Sequence, residues 1–83
     1  MGFINKSGIL AWNKNNLDAV TASCGVYVLR DLSQQLIYVG KSETSLNDRL
    51  LSHWSNNDIP NVAFFDWYET PDAKNADELE RNW

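Results

Sequence analysis

Six side chains in this sequence have the types and the order to act together on an oxyanion. Tyr27 and Tyr38 are eleven residues apart, Lys41 follows three positions later, Arg49 stands eleven beyond Tyr38, His53 four beyond Arg49, and Glu80 lies near the end of the 83 residues. A guanidinium is planar and permanently charged, and it offers a fork of donors to non-bridging oxygens. A glutamate can hold a hard cation such as Mg²⁺ or Mn²⁺, which keeps several waters and takes few protein ligands. A free phenol titrates near ~10, so a tyrosine acting as a base near neutral pH needs a cation or a metal-bound water beside it. Lys41 is placed to supply that charge. Taken singly, each residue has a plainer reading: strand tyrosines in a core, a solvated helix arginine, a surface lysine, a partly buried helix histidine. Glu78 stands two positions before Glu80 and competes with it for the metal.

The elements that must position these groups follow from local pattern. Gly25-Val-Tyr-Val-Leu-Arg30 is rich in β-branched and aromatic residues and predicts a strand. Asp31 to Gln34 predicts a turn and Leu36-Ile-Tyr-Val39 a second strand, so the pair makes a hairpin. With 31–34 as the loop, Tyr27 faces Tyr38 directly and both project from one face. Thr44 or Ser45 caps a helix over Leu46–Trp54, with Leu46, Leu50 and Trp54 as its buried stripe and Arg49 and His53 on a neighbouring one. Asn61 to Glu69 is apolar on both faces and predicts a third strand, central or covered. Pro71-Asp72 opens a last helix through Lys74–Arg81. A short helix over Asn16–Ala22 is expected to bury Leu17 and Val20, and residues 1–13 carry no assignable pattern. The expected fold is α/β: a small three-stranded antiparallel sheet flanked by helices, in the order ββαβα. Trp12, Trp54 and Trp67 are expected to pack, Cys24 to be a small buried residue beside the strand start, and Trp83 has no assigned role.

Gly25-Val26-Tyr27 and Tyr38-Val39-Gly40 resemble the two tripeptides that name the GIY-YIG nuclease family, with Val for Ile in each. Ten residues separate them, which suits the family hairpin. Arg49 falls where the family keeps its catalytic arginine, His53 one turn later as in several family nucleases, and Ala76-x-x-Leu79-Glu80 resembles the surroundings of the family glutamate. The resemblance is close over 24–54 and looser over 61–83. It implies a metal-dependent endonuclease that hydrolyses DNA phosphodiester bonds. In that scheme Tyr27, Tyr38, Lys41, Arg49 and His53 are catalytic, and Glu80 holds Mg²⁺ or Mn²⁺. Tyr27 would activate water, Tyr38 would position the water or a phosphate, Arg49 would steady the phosphoryl oxygens, and the metal would help the leaving oxygen. The resemblance likens the chain to the nuclease module of the bacterial excision-repair subunit and to phage homing endonucleases. Family members usually continue past the point reached here, three residues after Glu80. The 83 residues are thus expected to be a single domain, cut short after its last helix or naturally minimal. Specificity is expected to come from a separate DNA-targeting domain or protein.

Composition bounds the alternatives. Hydrophobic residues are 43% and charged residues 22%, enough for a core and too apolar for a disordered tail. No apolar run reaches the length of a membrane span or a signal peptide, and the single cysteine cannot form an intrachain disulfide, so a reducing, cytoplasmic location is expected; DNA as partner is what the resemblance implies. The net charge of −4 is unusual for a nucleic-acid binder. Its distribution is uneven: residues 1–57 hold five basic against four acidic side chains, and residues 58–83 hold two against seven. Two rival readings follow. One is a catalytically silent module of the same type that binds DNA or protein, and the other is an unrelated small α/β protein in which the matching residues are coincidental.

Overall fold

A computed structural model describes residues 3–82; Met1, Gly2 and Trp83 lie outside the described residues. In chain order the elements are β1 (Asn5–Lys6), β2 (Leu10–Ala11), α1 (Lys14–Asp18), β3 (Gly25–Arg30), β4 (Leu36–Ser42), α2 (Leu46–Asn56), β5 (Phe64–Glu69) and α3 (Ala73–Arg81). The antiparallel sheet runs β1-β5-β3-β4, with β2 also paired to β5. The small α/β architecture is as expected, but the sheet has five strands rather than three, and the order is ββαββαβα rather than ββαβα.

The two additional strands come from the segment whose pattern could not be assigned. Asn5 and Lys6 pair with Glu69 and Tyr68, and Leu10 and Ala11 with Phe65 and Phe64. Between them Ser7 keeps hold of β5 through Trp67, accepting its N–H on Oγ and donating its own N–H to its carbonyl, both at 3.0 Å. Gly8 then adopts φ +74°, a left-handed conformation that breaks the strand. A two-residue edge strand is too short to show alternation, and Ile4 and Ile9 stay exposed, so no hydrophobic period marks it. This edge makes β5 an interior strand, which accounts for its apolar character on both sides.

The hairpin corrects the expected register. The turn spans Asp31 to Gln35, closed by the Asp31 carboxylate, which accepts the backbone N–H groups of Ser33 and Gln35, and by Gln34 at φ +66°. An irregularity between Leu29 and Arg30 sets Arg30 opposite Leu36 and Leu29 opposite Tyr38, leaving Tyr27 opposite Gly40. The displacement is two residues, so both tyrosines still share a face.

The sheet has two unlike faces. Tyr27, Leu29 and Phe65 pack with Leu17 and Val20 around α1, and with Leu46 and Leu50 of α2, to form the main core. The opposite face carries Val26 and Val28, both fully buried, and receives α3 through Ala76. Ser45 caps α2 by accepting the Asp48 N–H, and Asp72 caps α3 by accepting that of Asn75. Asn13 caps α1, which starts two residues before the expected Asn16 and ends at Asp18, four residues before the expected Ala22, although Leu17 and Val20 remain buried. The buried stripe of α2 runs Leu46, Leu50, His53; Trp54 is 37% exposed and His53 only 7%. None of the helices formed by the described residues is long and apolar enough to cross a membrane.

Gly25 opens β3 where a Cβ would collide with the Tyr68 backbone carbonyl and approach Leu46 Cδ1 to 2.8 Å. The collision is with backbone, which cannot rotate away. Gly25→Ala is therefore expected to destabilise the fold by about 1–3 kcal/mol or more, as overpacking does, read as a lower urea midpoint with an unchanged slope.

Candidate active site

Tyr27 occupies the middle of β3 with no accessible surface. Its ring lies over Gly40 of the neighbouring strand, where a Cβ would overlap the phenol itself. The glycine of the second tripeptide thus makes room for the tyrosine of the first. A buried hydroxyl needs partners, and α2 supplies two: the Tyr27 oxygen lies 2.7 Å from His53 Nε2 and accepts from Arg49 Nε at 3.3 Å. Arg49 and His53 are four residues apart and reach the same atom because one helical turn separates them. Tyr38, half-buried, completes the group, with its ring 6.2 Å from Tyr27 and 5.6 Å from His53.

A further residue was not singled out in the sequence. His53 Nδ1 lies 2.9 Å from Asp58 Oδ1, on the loop that follows α2. An ionised carboxylate only accepts, so Nδ1 carries the donated proton. In the neutral ring Nε2 is then the acceptor, and Tyr27 O–H donates to it. The proton order runs from Tyr27 through His53 towards Asp58, while Arg49 faces the phenol oxygen. The hydrogen bond from His53 holds the Asp58 carboxyl below the usual carboxylate range, whereas burial pushes the Tyr27 phenol up to about 12, against the lowering effect of the Arg49 hydrogen bond. Asp58 falls in an Asn-rich break between elements, and only the fold brings it beneath the histidine.

Arg49 is exposed, and it makes no ion pair among the described residues, whereas Lys14, Arg30, Lys41 and Arg81 each contact a carboxylate. With Nε committed to Tyr27, its terminal nitrogens remain as donors for an incoming anion. The arrangement provides an unneutralised guanidinium beside a phenol whose proton has a route away.

Lys41 and Glu80 are placed elsewhere. Lys41 follows Gly40 and points to the opposite face, where Nζ lies 2.5 Å from Asp77 and 3.6 Å from Glu43. The Asp77 hydrogen bond raises its pKa, and the charge of Glu80 adds to that effect. The structure brings Tyr27, Tyr38, Arg49 and His53 together on one side of β4, and Lys41 with Glu80 on the other. The Tyr27 phenol takes its positive neighbour from Arg49, where Lys41 was expected. Arg81 also contacts Asp77, so that carboxylate is shared by two cations.

Among the described residues no group of three or more His, Cys, Asp or Glu side chains could hold a metal ion by itself. Mg²⁺ does not need such a group, since it commonly takes one or two carboxylates and fills its remaining positions with water and phosphate oxygens. Glu80 is half-buried, and its carboxylate makes no hydrogen bond or ion pair with the described residues, so it is free for that use; Glu78 is exposed. One carboxylate of this kind fits the donor requirement.

Comparison with known families gives one finding: a family model described as the GIY-YIG catalytic domain matches residues 23–83. No curated protein matches the chain.

The Tyr27 environment has a pH signature. An unfolded tyrosine ionises near ~10, and the folded phenol at about 12, so its contribution to stability is complete below pH ~10 and is lost as the pH rises through 12. The loss is on the order of 2 kcal/mol. Tyr27→Phe is expected to flatten alkaline unfolding in that window and to remove the last phenolate step in an ultraviolet titration.

Proposed function

This chain belongs to the GIY-YIG catalytic-domain family, a family of nucleases, and from that premise we propose that it is a metal-dependent DNA endonuclease that hydrolyses phosphodiester bonds. The observation that carries the reading is the Tyr27 hydroxyl held between His53 Nε2 and the unneutralised Arg49 guanidinium. In this proposal the chain works on DNA inside the cell and receives its target from a separate DNA-reading domain or protein.

In this proposal the terminal nitrogens of Arg49 take the non-bridging oxygens of the scissile phosphate and offset the charge that grows there in the transition state. As Arg49 moves onto the phosphate it uncovers the Tyr27 oxygen to a water molecule. The water gives its proton to Tyr27 as Tyr27 gives its own to His53, so the net transfer is from water to Nε2. Asp58 acts through His53, fixing the tautomer and compensating the imidazolium that forms. Tyr38, with surface open to solvent, orients the water or a neighbouring phosphate. Glu80 would hold Mg²⁺ or Mn²⁺, which when bound supplies charge for the leaving oxygen. Lys41 sits beside that carboxylate and limits how strongly it attracts a cation.

A second reading has its own observation. Tyr27 has no accessible surface, and Glu80 belongs to the helix on the far side of β4, which suits a silent module that binds DNA without cutting it.

Plasmid nicking separates the two. The purified chain is expected to nick supercoiled DNA with Mg²⁺ or Mn²⁺ and not with EDTA, and Arg49→Ala is expected to lose about 10²–10³-fold in rate, as removal of one oxyanion donor does. No cutting of supercoiled, branched or damaged DNA in either metal would leave the silent module. Asp58→Asn tests the relay: it should lower kcat with little change in DNA affinity, because Asp58 touches His53 rather than the substrate.

A further inference from the structure

Beside the His53–Asp58 pair lies a cavity of about 420 Å³ lined by Trp12, Trp54, Asn57, Ile59, Asn61 and Val62. That volume is within the ~300–1,000 Å³ typical of small-ligand sites. One wall is aromatic and fixed: Trp12 stands edge-on to Phe65 at 5.5 Å and to Trp54 at 5.8 Å, while Trp54 remains 37% exposed. Ile59 and Val62 add apolar surface. Asn57 and Asn61 are held at φ +50° and +67°, and neither side-chain amide makes a hydrogen bond within the described protein. Each offers both donors and an acceptor to a ligand.

A flat aromatic surface, apolar flanks, two unused amides and no charged lining residue suit a flat heterocycle with mixed donors and acceptors at its edge. They do not suit a phosphate, a carboxylate or a metal ion. The cavity connects to the anion site through the loop after α2: Asp58 bonds His53 and feels the charge of Arg49, while its neighbours Asn57 and Ile59 line the cavity. Trp54 itself lies five residues beyond Arg49, a rise of about 7.5 Å and a turn of roughly 140° around α2.

We propose that this cavity receives one unpaired base of a DNA strand whose phosphate is held by Arg49, so that the chain prefers DNA carrying a displaced base over fully paired duplex. The inference rests on DNA being the substrate, as proposed above, and adds what kind of DNA. A base in a duplex is stacked and cannot reach Trp54, whereas a base at a bulge, flap or single-stranded end can be splayed onto it. Base–aromatic stacking tolerates any base, and the asparagine amides would bias the choice only mildly.

The test needs no cleavage. Binding of the full chain is measured in EDTA by fluorescence anisotropy against three labelled duplexes: one with a single-nucleotide bulge, the same with an abasic bulge, and one fully paired. The bulge that carries a base is expected to bind roughly tenfold more tightly than the abasic one, with quenching of tryptophan fluorescence. Trp54→Ala should remove the difference and Trp54→Phe should keep part of it. Asn57→Gly and Asn61→Gly delete the amides without straining positive φ and should reduce it. Thermal melts establish that each variant is folded. Equal affinity for the two bulges overturns the pocket and leaves the nuclease reading to plasmid nicking. Base-dependent binding without nicking retains the pocket and removes the nuclease. A free deoxynucleoside that competes as well as the bulged oligonucleotide would reassign the cavity to a soluble ligand and overturn the strand-borne base.

Discussion

A phenol shut off from water has to find its hydrogen bonds inside the protein, and the site is arranged around where Tyr27 finds them. The residue sits on an interior strand, between β4 and β5. Its ring is admitted only because the facing residue is Gly40. Its hydroxyl needs a donor and an acceptor at one point in space, and α2 provides both because Arg49 and His53 recur with the helical pitch. His53 is in turn fixed by Asp58, so the break after α2 must bring a carboxylate back under the helix end. Loss of Asp58 would leave the buried Nδ1 of His53 without its partner, and loss of His53 would leave the Tyr27 proton without an acceptor, each costing more than the bond itself contributes.

The same constraint sorts the charges. A guanidinium that serves the phenol cannot also be neutralised by a carboxylate and still attract a phosphate. Among the described residues Arg49 makes no ion pair, its charge reaching only the Asp58 carboxyl that His53 already holds, while Arg30 is tied to the buried Asp66 at 2.9 Å and Lys41 to Asp77. Most of the acidic surplus falls on β5 and α3 or the turn joining them, with Asp77, Glu78 and Glu80 all on α3. The net charge of −4 therefore describes the molecule as a whole and not the surface beside Arg49. Screening over about a Debye length makes the local charge the relevant one for a bound phosphate.

The loop after α2 joins the two sites. Asn57 ends the helix in a left-handed conformation, Asp58 turns in to His53, and Ile59, Asn61 and Val62 line the tryptophan cavity. Pro60 and the positive φ of Asn61 restrict the backbone between them. A rigid scaffold that presents a short, conformationally restricted loop is a common way to combine chemistry with recognition. Here a change in the loop would be felt at both the histidine and the cavity.

The sequence by itself determined the hairpin, the two longer helices and the one-turn spacing of Arg49 and His53 on α2, because these depend on local period, capping chemistry and spacing. It placed both tyrosines on one face despite an incorrect register, since a shift of two residues preserves the face. It did not disclose β1 and β2, whose pairing is long-range and too short to leave a period. Nor did it distinguish His53 from Trp54 as the buried residue of α2: hydrophobicity favours the tryptophan, but the hydrogen bond to Tyr27 pays for burying the histidine. The separation of Lys41 from Tyr27 follows from strand alternation once β4 extends to Ser42, three residues past its expected end. The tryptophan cavity was decided only by tertiary structure, because it unites α2 and the loop after it with Trp12, more than forty residues away in the chain, and no local pattern encodes a contact at that distance; Asp58 is only five residues from His53, but it falls in an irregular break whose path has no period to read.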